Sequence, residues 1–180
     1  MSTNDKTVYL ALGSNIGERQ TQLTTAIEML HPQVRVGGVS SVYETEPAYV
    51  SDQPRFLNIV LRGATVLDPV ALLALLKDIE RRIGRVEGPR YGPRVVDLDI
   101  LLYSDQMVDT MEITIPHPRM AERPFVLVPL AEIAPDMVPP GWQMTVQQAM
   151  SHVSGNGDII ACVGRLKVDA KDVVYKEASE

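Results

Sequence analysis

The sequence is short of several things, and each shortage narrows the reading. It holds one cysteine, Cys162. No internal disulfide can form, and a reducing compartment is expected. Basic residues number 17 against 23 acidic ones, a net charge of −6. That balance argues against bulk affinity for nucleic acid or for an anionic membrane surface. No apolar run approaches the length of a membrane span. The first residues, Met1 to Lys6, show no basic stretch followed by an apolar one. Secretion is therefore not expected, and a cytoplasmic location is. There is no internal repeat and no low-complexity tract. Aromatic residues are few, and only two are phenylalanines, Phe56 and Phe125. At 180 residues the chain is long enough for one domain with a proper core.

What is present centres on Arg90 to Tyr103. Two arginines, Arg90 and Arg94, lead into a strand-like run with carboxylates at Asp97 and Asp99. Alternation along a strand points both acids the same way, about 7 Å apart. Val96, Leu98, Ile100 and Leu102 are then expected on the opposite, core-seeking face. Two acids on one face of such a strand need partners. Mg²⁺ suits them, since it is commonly held by one or two carboxylates together with substrate phosphates. The alternative is an antiparallel strand with one solvated face. Five arginines between positions 81 and 94 (Arg81, Arg82, Arg85, Arg90 and Arg94) favour the phosphate reading, because the guanidinium fork fits phosphate oxygens.

The rest of the chain alternates between strand-like and helix-like patterns. Thr7–Leu12 reads as a strand, and the glycine-bearing turn 13–17 as an ordinary tight turn with only a weak anion-cradling signal. Glu18–Leu30 reads as a helix stopped by Pro32. Val34–Glu46 and Phe56–Thr65 read as strands around a loop bounded by Pro47 and Pro54. Asn58 shares a face with Phe56 and must find hydrogen-bond partners. Asp68-Pro69 caps a helix that runs to Arg82 or Ile83 and stops at Gly84. Lys77 and Glu80 lie off its apolar stripe. Pro116 and Pro118 stiffen the backbone around His117. Leu130–Ile133 reads as one helical turn, Val146–Met150 as a short helix capped by Thr145, and Ile159–Val163 as an added strand. Paired aromatics in a cleft can hold a flat heterocycle, although isolated phenylalanines more often fill cores.

These stretches resemble the 6-hydroxymethyl-7,8-dihydropterin pyrophosphokinase family of folate synthesis. The matching segments are Leu12 to Asn15, Tyr43 to Pro47, Asp52 to Asn58, Glu80 to Arg85, Arg90 to Tyr103, and Pro116 to Leu127. They cover roughly residues 7–150, and the Gly-Pro-Arg-x-x-Asp-x-Asp run with the downstream Pro-His-Pro is the most specific. The resemblance implies a ferredoxin-like α+β fold, an antiparallel sheet flanked by helices. It implies a pyrophosphokinase domain over 1–150 with a C-terminal extension, 151–180, of no assigned role. The implied reaction moves the pyrophosphoryl group of ATP to the pterin's hydroxymethyl oxygen and releases AMP. Two Mg²⁺ ions are implied on Asp97 and Asp99. Arg85 and Arg94 would clamp the phosphates, with Arg90 assisting. Lys77, Glu80, His117 and Arg123 fall at nucleotide-contacting positions. Phe56 and Phe125 would sandwich the pterin, and Asn58 would bond its polar edge together with groups around Thr45, Glu46 and Ala48. The partners would be these two small molecules, with no nucleic acid and no membrane, and a monomer is expected.

The chain departs from the family in places. Tyr91 stands where tryptophan is common, Val86 to Pro89 lacks a basic residue, and Glu112 sits where some members carry arginine. There are two rival readings: a two-metal phosphatase or nuclease using the same acids, and a ferredoxin-like ligand-sensing module that binds nucleotide without turnover and tolerates loss of either acid. Neither explains the whole set. The first has no use for the paired phenylalanines, and the arginine-rich loop speaks against the second.

Overall fold

A computed structural model describes residues 5–86, 92–153 and 159–166. The chain opens with β1 (Lys6–Ser14), whose alternation buries Val8, Leu10 and Leu12 on one side. Helix α1 (Arg19–Leu30) follows, then β2 (Val34–Val39), β3 (Val42–Thr45) and β4 (Phe56–Thr65). Helix α2 (Pro69–Ile83) starts on the Asp68 side chain, which accepts the Ala71 N–H at 2.8 Å. It stops at Gly84, which takes the left-handed conformation with φ 112°. Strand β5 (Asp97–Tyr103) returns through the sheet. A small ladder of β6 (Val108–Asp109) and β7 (Thr114–Ile115) lies apart from it. One 3₁₀ turn (Met120–Glu122), α3 (Pro124–Ile133), α4 (Val146–Met150) and β8 (Ile159–Gly164) complete the described chain.

All pairings in the main sheet are antiparallel, in the order β5-β1-β4-β3-β8, with β2 also on β4. Strands β1 and β4 are central, and with β2 and β3 sharing one position beside β4 the connections run βαββαβ, which is the ferredoxin-like arrangement the resemblance implies. The sheet divides two cores. Leu10, Ile59 and Leu98 pack with α1 and α2 residues such as Ile27 and Leu76 on one side. Val60, Leu101 and Leu102 pack with Val126, Leu127 and Leu130 of α3 and Val146 of α4 on the other. Among the described residues no helix is long and apolar enough to cross a membrane.

Three expectations need correction. Val34–Glu46 is two strands, not one. Ser40 interrupts it by accepting the Val60 N–H with its hydroxyl at 3.0 Å while its own N–H donates to Val60 O at 2.9 Å. Leu130–Ile133 is the end of the ten-residue α3. Pro124 starts that helix and Pro129 lies within it. Burial of Val126, Leu127, Leu130 and Ala131 offsets the hydrogen bond that Pro129 cannot make. Finally, Leu102 does not share a face with Leu98 and Ile100. The β1–β5 register skips Leu101 between the pairs Tyr9–Leu102 and Leu10–Ile100. This bulge reverses the alternation, so that Leu102 joins the α3 core and Tyr103 the α1–α2 core.

Candidate active site

The cleft opens on the α3 face of the sheet, where the end of β1 meets the starts of β4 and β5. Gly13 lies opposite Asn58 on one neighbour and Asp97 on the other. A Cβ at Gly13 would meet Asn58 Oδ1 at 2.7 Å, so the missing side chain makes room for the amide. The Asn58 Nδ2 donates to Thr45 Oγ1 at 2.8 Å, a side-chain bond that holds it in a buried position. Thr45, Glu46, Ala48, Phe56, Asn58 and Phe125 line one part of a cleft of about 320 Å³. Lys77, Arg85, Arg94, Asp97, Asp99, His117 and Arg123 line the rest. Thus the cleft gathers nearly every residue singled out from sequence. Arg90 lies outside the described residues, as do Tyr91 and the chain from 167 onward.

Glu80 is placed differently. It is 2 % exposed and does not line the cleft. From α2 its Oε1 accepts the Leu98 N–H at 2.7 Å and Lys77 Nζ at 2.7 Å, and it pairs with Arg85. Arg85 in turn donates to Asp97 Oδ1 at 2.5 Å. Glu80 therefore ties helix, strand and two cleft cations together from below.

Charge in the cleft is unevenly balanced. Burial, with the Asp97 carboxylate beside it, pushes Asp99 up to about 6, against the pull of Lys77 and Arg123. Burial and the guanidinium groups of Arg123 and Arg119 push His117 down to about 4, so its ring is neutral at pH 7. Its Nδ1 accepts the Arg119 N–H at 3.2 Å, which orients the ring. Two facing acids, one strained toward its proton, form a donor set suited to a hard cation. Among the described residues no group of three or more His, Cys, Asp or Glu side chains is placed to hold a metal. A pair of carboxylates fits Mg²⁺ better than a metal that needs a closed protein cage.

Two contributors escaped the sequence reading. Asn15, in the turn taken as ordinary, is buried and staples three segments. Its Nδ2 donates to Gln53 Oε1 at 3.0 Å and Pro54 O at 3.1 Å, and its Oδ1 accepts the Arg94 N–H at 2.6 Å. Only its place in a matching segment could have marked it. Tyr49 stands between the cleft's two parts. Arg119 lies 5.1 Å and Arg123 5.8 Å from its ring centre, and its hydroxyl accepts from Arg123 Nε at 3.1 Å. Arg123 is also 5.5 Å from the Phe125 ring. An aromatic residue in the loop between Pro47 and Pro54 was the available signal.

A ferredoxin-like sheet whose open face joins an acid pair, several cations and two phenylalanines defines a class: α+β domains with one mixed charged and aromatic cleft at the end of the sheet. Residues 9–135 match the family described as 7,8-dihydro-6-hydroxymethylpterin-pyrophosphokinase (HPPK), and the chain belongs to that family. A Bacillus subtilis protein named 2-amino-4-hydroxy-6-hydroxymethyldihydropteridine pyrophosphokinase is 50 % identical over 127 residues, covering 69 % of this chain and 76 % of its own. The Schizosaccharomyces pombe folic acid synthesis protein fol1 is 44 % identical over 158 residues, 87 % of this chain, but the match spans only 22 % of that protein. The crystal structure of Plasmodium falciparum HPPK-DHPS wild type with pteroate aligns at a TM-score of 0.68 and 16 % identity, covering 82 % of this chain and 42 % of that one. The chain therefore spans less than half of some relatives it matches.

Proposed function

We propose that this chain transfers the pyrophosphoryl group of ATP to the hydroxymethyl oxygen of 6-hydroxymethyl-7,8-dihydropterin, releasing AMP, in folate biosynthesis. The observation that carries the reading is the single cleft in which Asp97, Asp99 and the cations adjoin Phe56, Phe125 and Asn58. The hydroxymethyl oxygen attacks the β-phosphorus. A new O–Pβ bond forms, the bridge to the α-phosphorus breaks with its electrons going to AMP, and the hydroxyl proton leaves to solvent. The protein's task is positioning and charge stabilisation.

Asp97 and Asp99 would hold two Mg²⁺ ions. When bound, the metal neutralises phosphate oxygens and draws charge toward the leaving group. Arg85, Arg94 and Arg90 meet the phosphates. Neutral His117, Lys77 and Arg123 face the nucleotide, and Glu80 acts on it through Lys77 and Arg85. Phe56 and Phe125 take the two faces of the pterin, and Asn58 takes its polar edge beside Thr45, Glu46 and Ala48. The activity belongs to residues 1–150, and the protein works as a cytoplasmic monomer on small molecules alone. The test is to mix the protein with ATP, Mg²⁺ and the hydroxymethyl pterin and identify the nucleotide product. AMP is expected. ADP would make it a simple kinase, and orthophosphate a phosphatase, and either would overturn the reading.

A further inference from the structure

Away from the cleft, one carboxylate carries an unusual load. Glu132, near the end of α3, accepts the Ser41 N–H at 2.8 Å, the Ser41 hydroxyl at 3.0 Å and the Tyr43 hydroxyl at 3.0 Å. Arg165 Nη2 donates to it as well, at 3.0 Å. Arg165 follows β8, which lies beyond the 9–135 family match and pairs along β3 from Val42 to Thr45. So α3, the start of β3 and the C-terminal strand meet at one side chain.

The elements joined there are those that build the ring-binding part of the cleft. Glu132 is seven residues beyond Phe125, about two helical turns, so both lie on one side of α3. Tyr43 lies opposite Asn58 in the β3–β4 register, and Thr45, two residues on, lies on the same face. Hence α3 and β3 both run between the cleft and the hub. Phe125 is at the near end of one, and Thr45, bonded to Asn58, is at the near end of the other. Pinning their far ends fixes the gap between Phe125 and the Asn58–Thr45 pair. Burial and the Glu132 carboxylate push the Tyr43 hydroxyl up to about 12, so it stays a donor at working pH.

We propose that Glu132, with Tyr43 and Arg165, positions the pterin-facing wall, and that the C-terminal strand is a brace for that wall. This rests on the reading above that the wall takes a pterin. These are positioning residues, acting through Phe125 and the Asn58–Thr45 pair. Lys77, Arg85 and Asp97 are held separately, through Glu80, and are not connected to the hub by any of these bonds.

The test measures equilibrium binding of 6-hydroxymethyl-7,8-dihydropterin and, separately, of a non-hydrolysable ATP analogue with Mg²⁺, using full-length protein. Glu132→Ala is expected to weaken pterin binding roughly tenfold, the scale of a small displacement at a remote support, and to leave the nucleotide within twofold. Arg165 is mostly exposed, so Arg165→Ala should weaken the pterin about two- to fivefold, and Arg165→Lys should restore most of that. Should Glu132→Ala fold poorly, Arg165→Ala and Tyr43→Phe carry the test. Equal weakening of both ligands, or unchanged pterin binding, overturns the inference. A wild-type protein that binds no pterin overturns instead the functional reading beneath it.

Discussion

Glu80 offers a sharp test of how the cleft is supported. Replacing it with alanine leaves the buried Leu98 N–H without its 2.7 Å acceptor. An unsatisfied buried amide costs about 1–3 kcal/mol. Breaking a buried ion pair costs about 3–5 kcal/mol when the partner is stranded. Here Lys77 is 43 % exposed, and Arg85 keeps Asp97, so neither cation is stranded. The ion-pair cost therefore stays below that range, the stranded amide dominates, and Glu80→Ala should lose about 3 kcal/mol. Glu80→Gln retains an acceptor for Leu98 and should lose about 1 kcal/mol. With a urea slope of about 2 kcal/mol/M, the unfolding midpoint should fall by about 1.5 M for alanine and about 0.5 M for glutamine. Urea melts followed by circular dichroism would measure both. A shift below about 0.3 M for alanine, or equal shifts for the two variants, would refute the argument that the Leu98 amide depends on this carboxylate.

Other outcomes can be checked more briefly. Asp97→Ala or Asp99→Ala should cut AMP release about a thousandfold, as loss of several kcal/mol of metal-borne stabilisation implies, while melting near the wild type; near-normal turnover removes the metal assignment. Gly13→Ala should drive Asn58 from its place, weakening the pterin about tenfold at a stability cost of about 1–3 kcal/mol; an unchanged pterin affinity in a binding titration would show that the amide is not needed there. The pH dependence has two opposed parts. Asp99 is raised from 3.8 to about 6, so its contribution to stability is present below pH 3.8 and lost as pH rises through 6. His117 is lowered from 6.5 to about 4, so its contribution is present above pH 6.5 and lost as pH falls through 4. Between pH 4 and 6 the two slopes oppose each other in the ligand-free protein. Asp99→Asn should expose the histidine slope, with stability falling as pH drops from 6.5 to 4; a flat profile in that variant would contradict the buried neutral ring.

Much of this architecture is legible in the residues. Strand β4, helix α2 and helix α4 follow from alternation, from Asp68-Pro69 with Gly84, and from Thr145, because each signal is local. The break at Ser40 was hidden, since a hydroxyl that replaces a ladder bond shows only when the neighbouring strand is in place. Helix α3 was hidden by its prolines, whose cost is met by the burial of Val126, Leu127, Leu130 and Ala131. In the site, Asp97 with Asp99, the arginines and the two phenylalanines are conspicuous by type and spacing. Asn15 and Glu132 are not, because their meaning lies in segments far apart in sequence. The family resemblance puts Glu80 at a nucleotide-contacting position, while its place off the apolar stripe of its helix predicts a solvated charge. Only the proximity of Leu98 shows why a carboxylate is buried there.

The extra residue at Leu101 divides β5 into two trades. Under plain alternation Leu102 would follow Leu98 and Ile100 toward α1 and α2, and Tyr103 would turn toward α3. The skipped register lets one short segment present acids to the cleft and then, within three residues, set both Leu101 and Leu102 into the core under α3. Deleting that single residue would leave Leu102 opposite Tyr9 and Tyr103 on its present side, so the acidic half and the anchoring half of this strand keep separate registers joined only through Leu101.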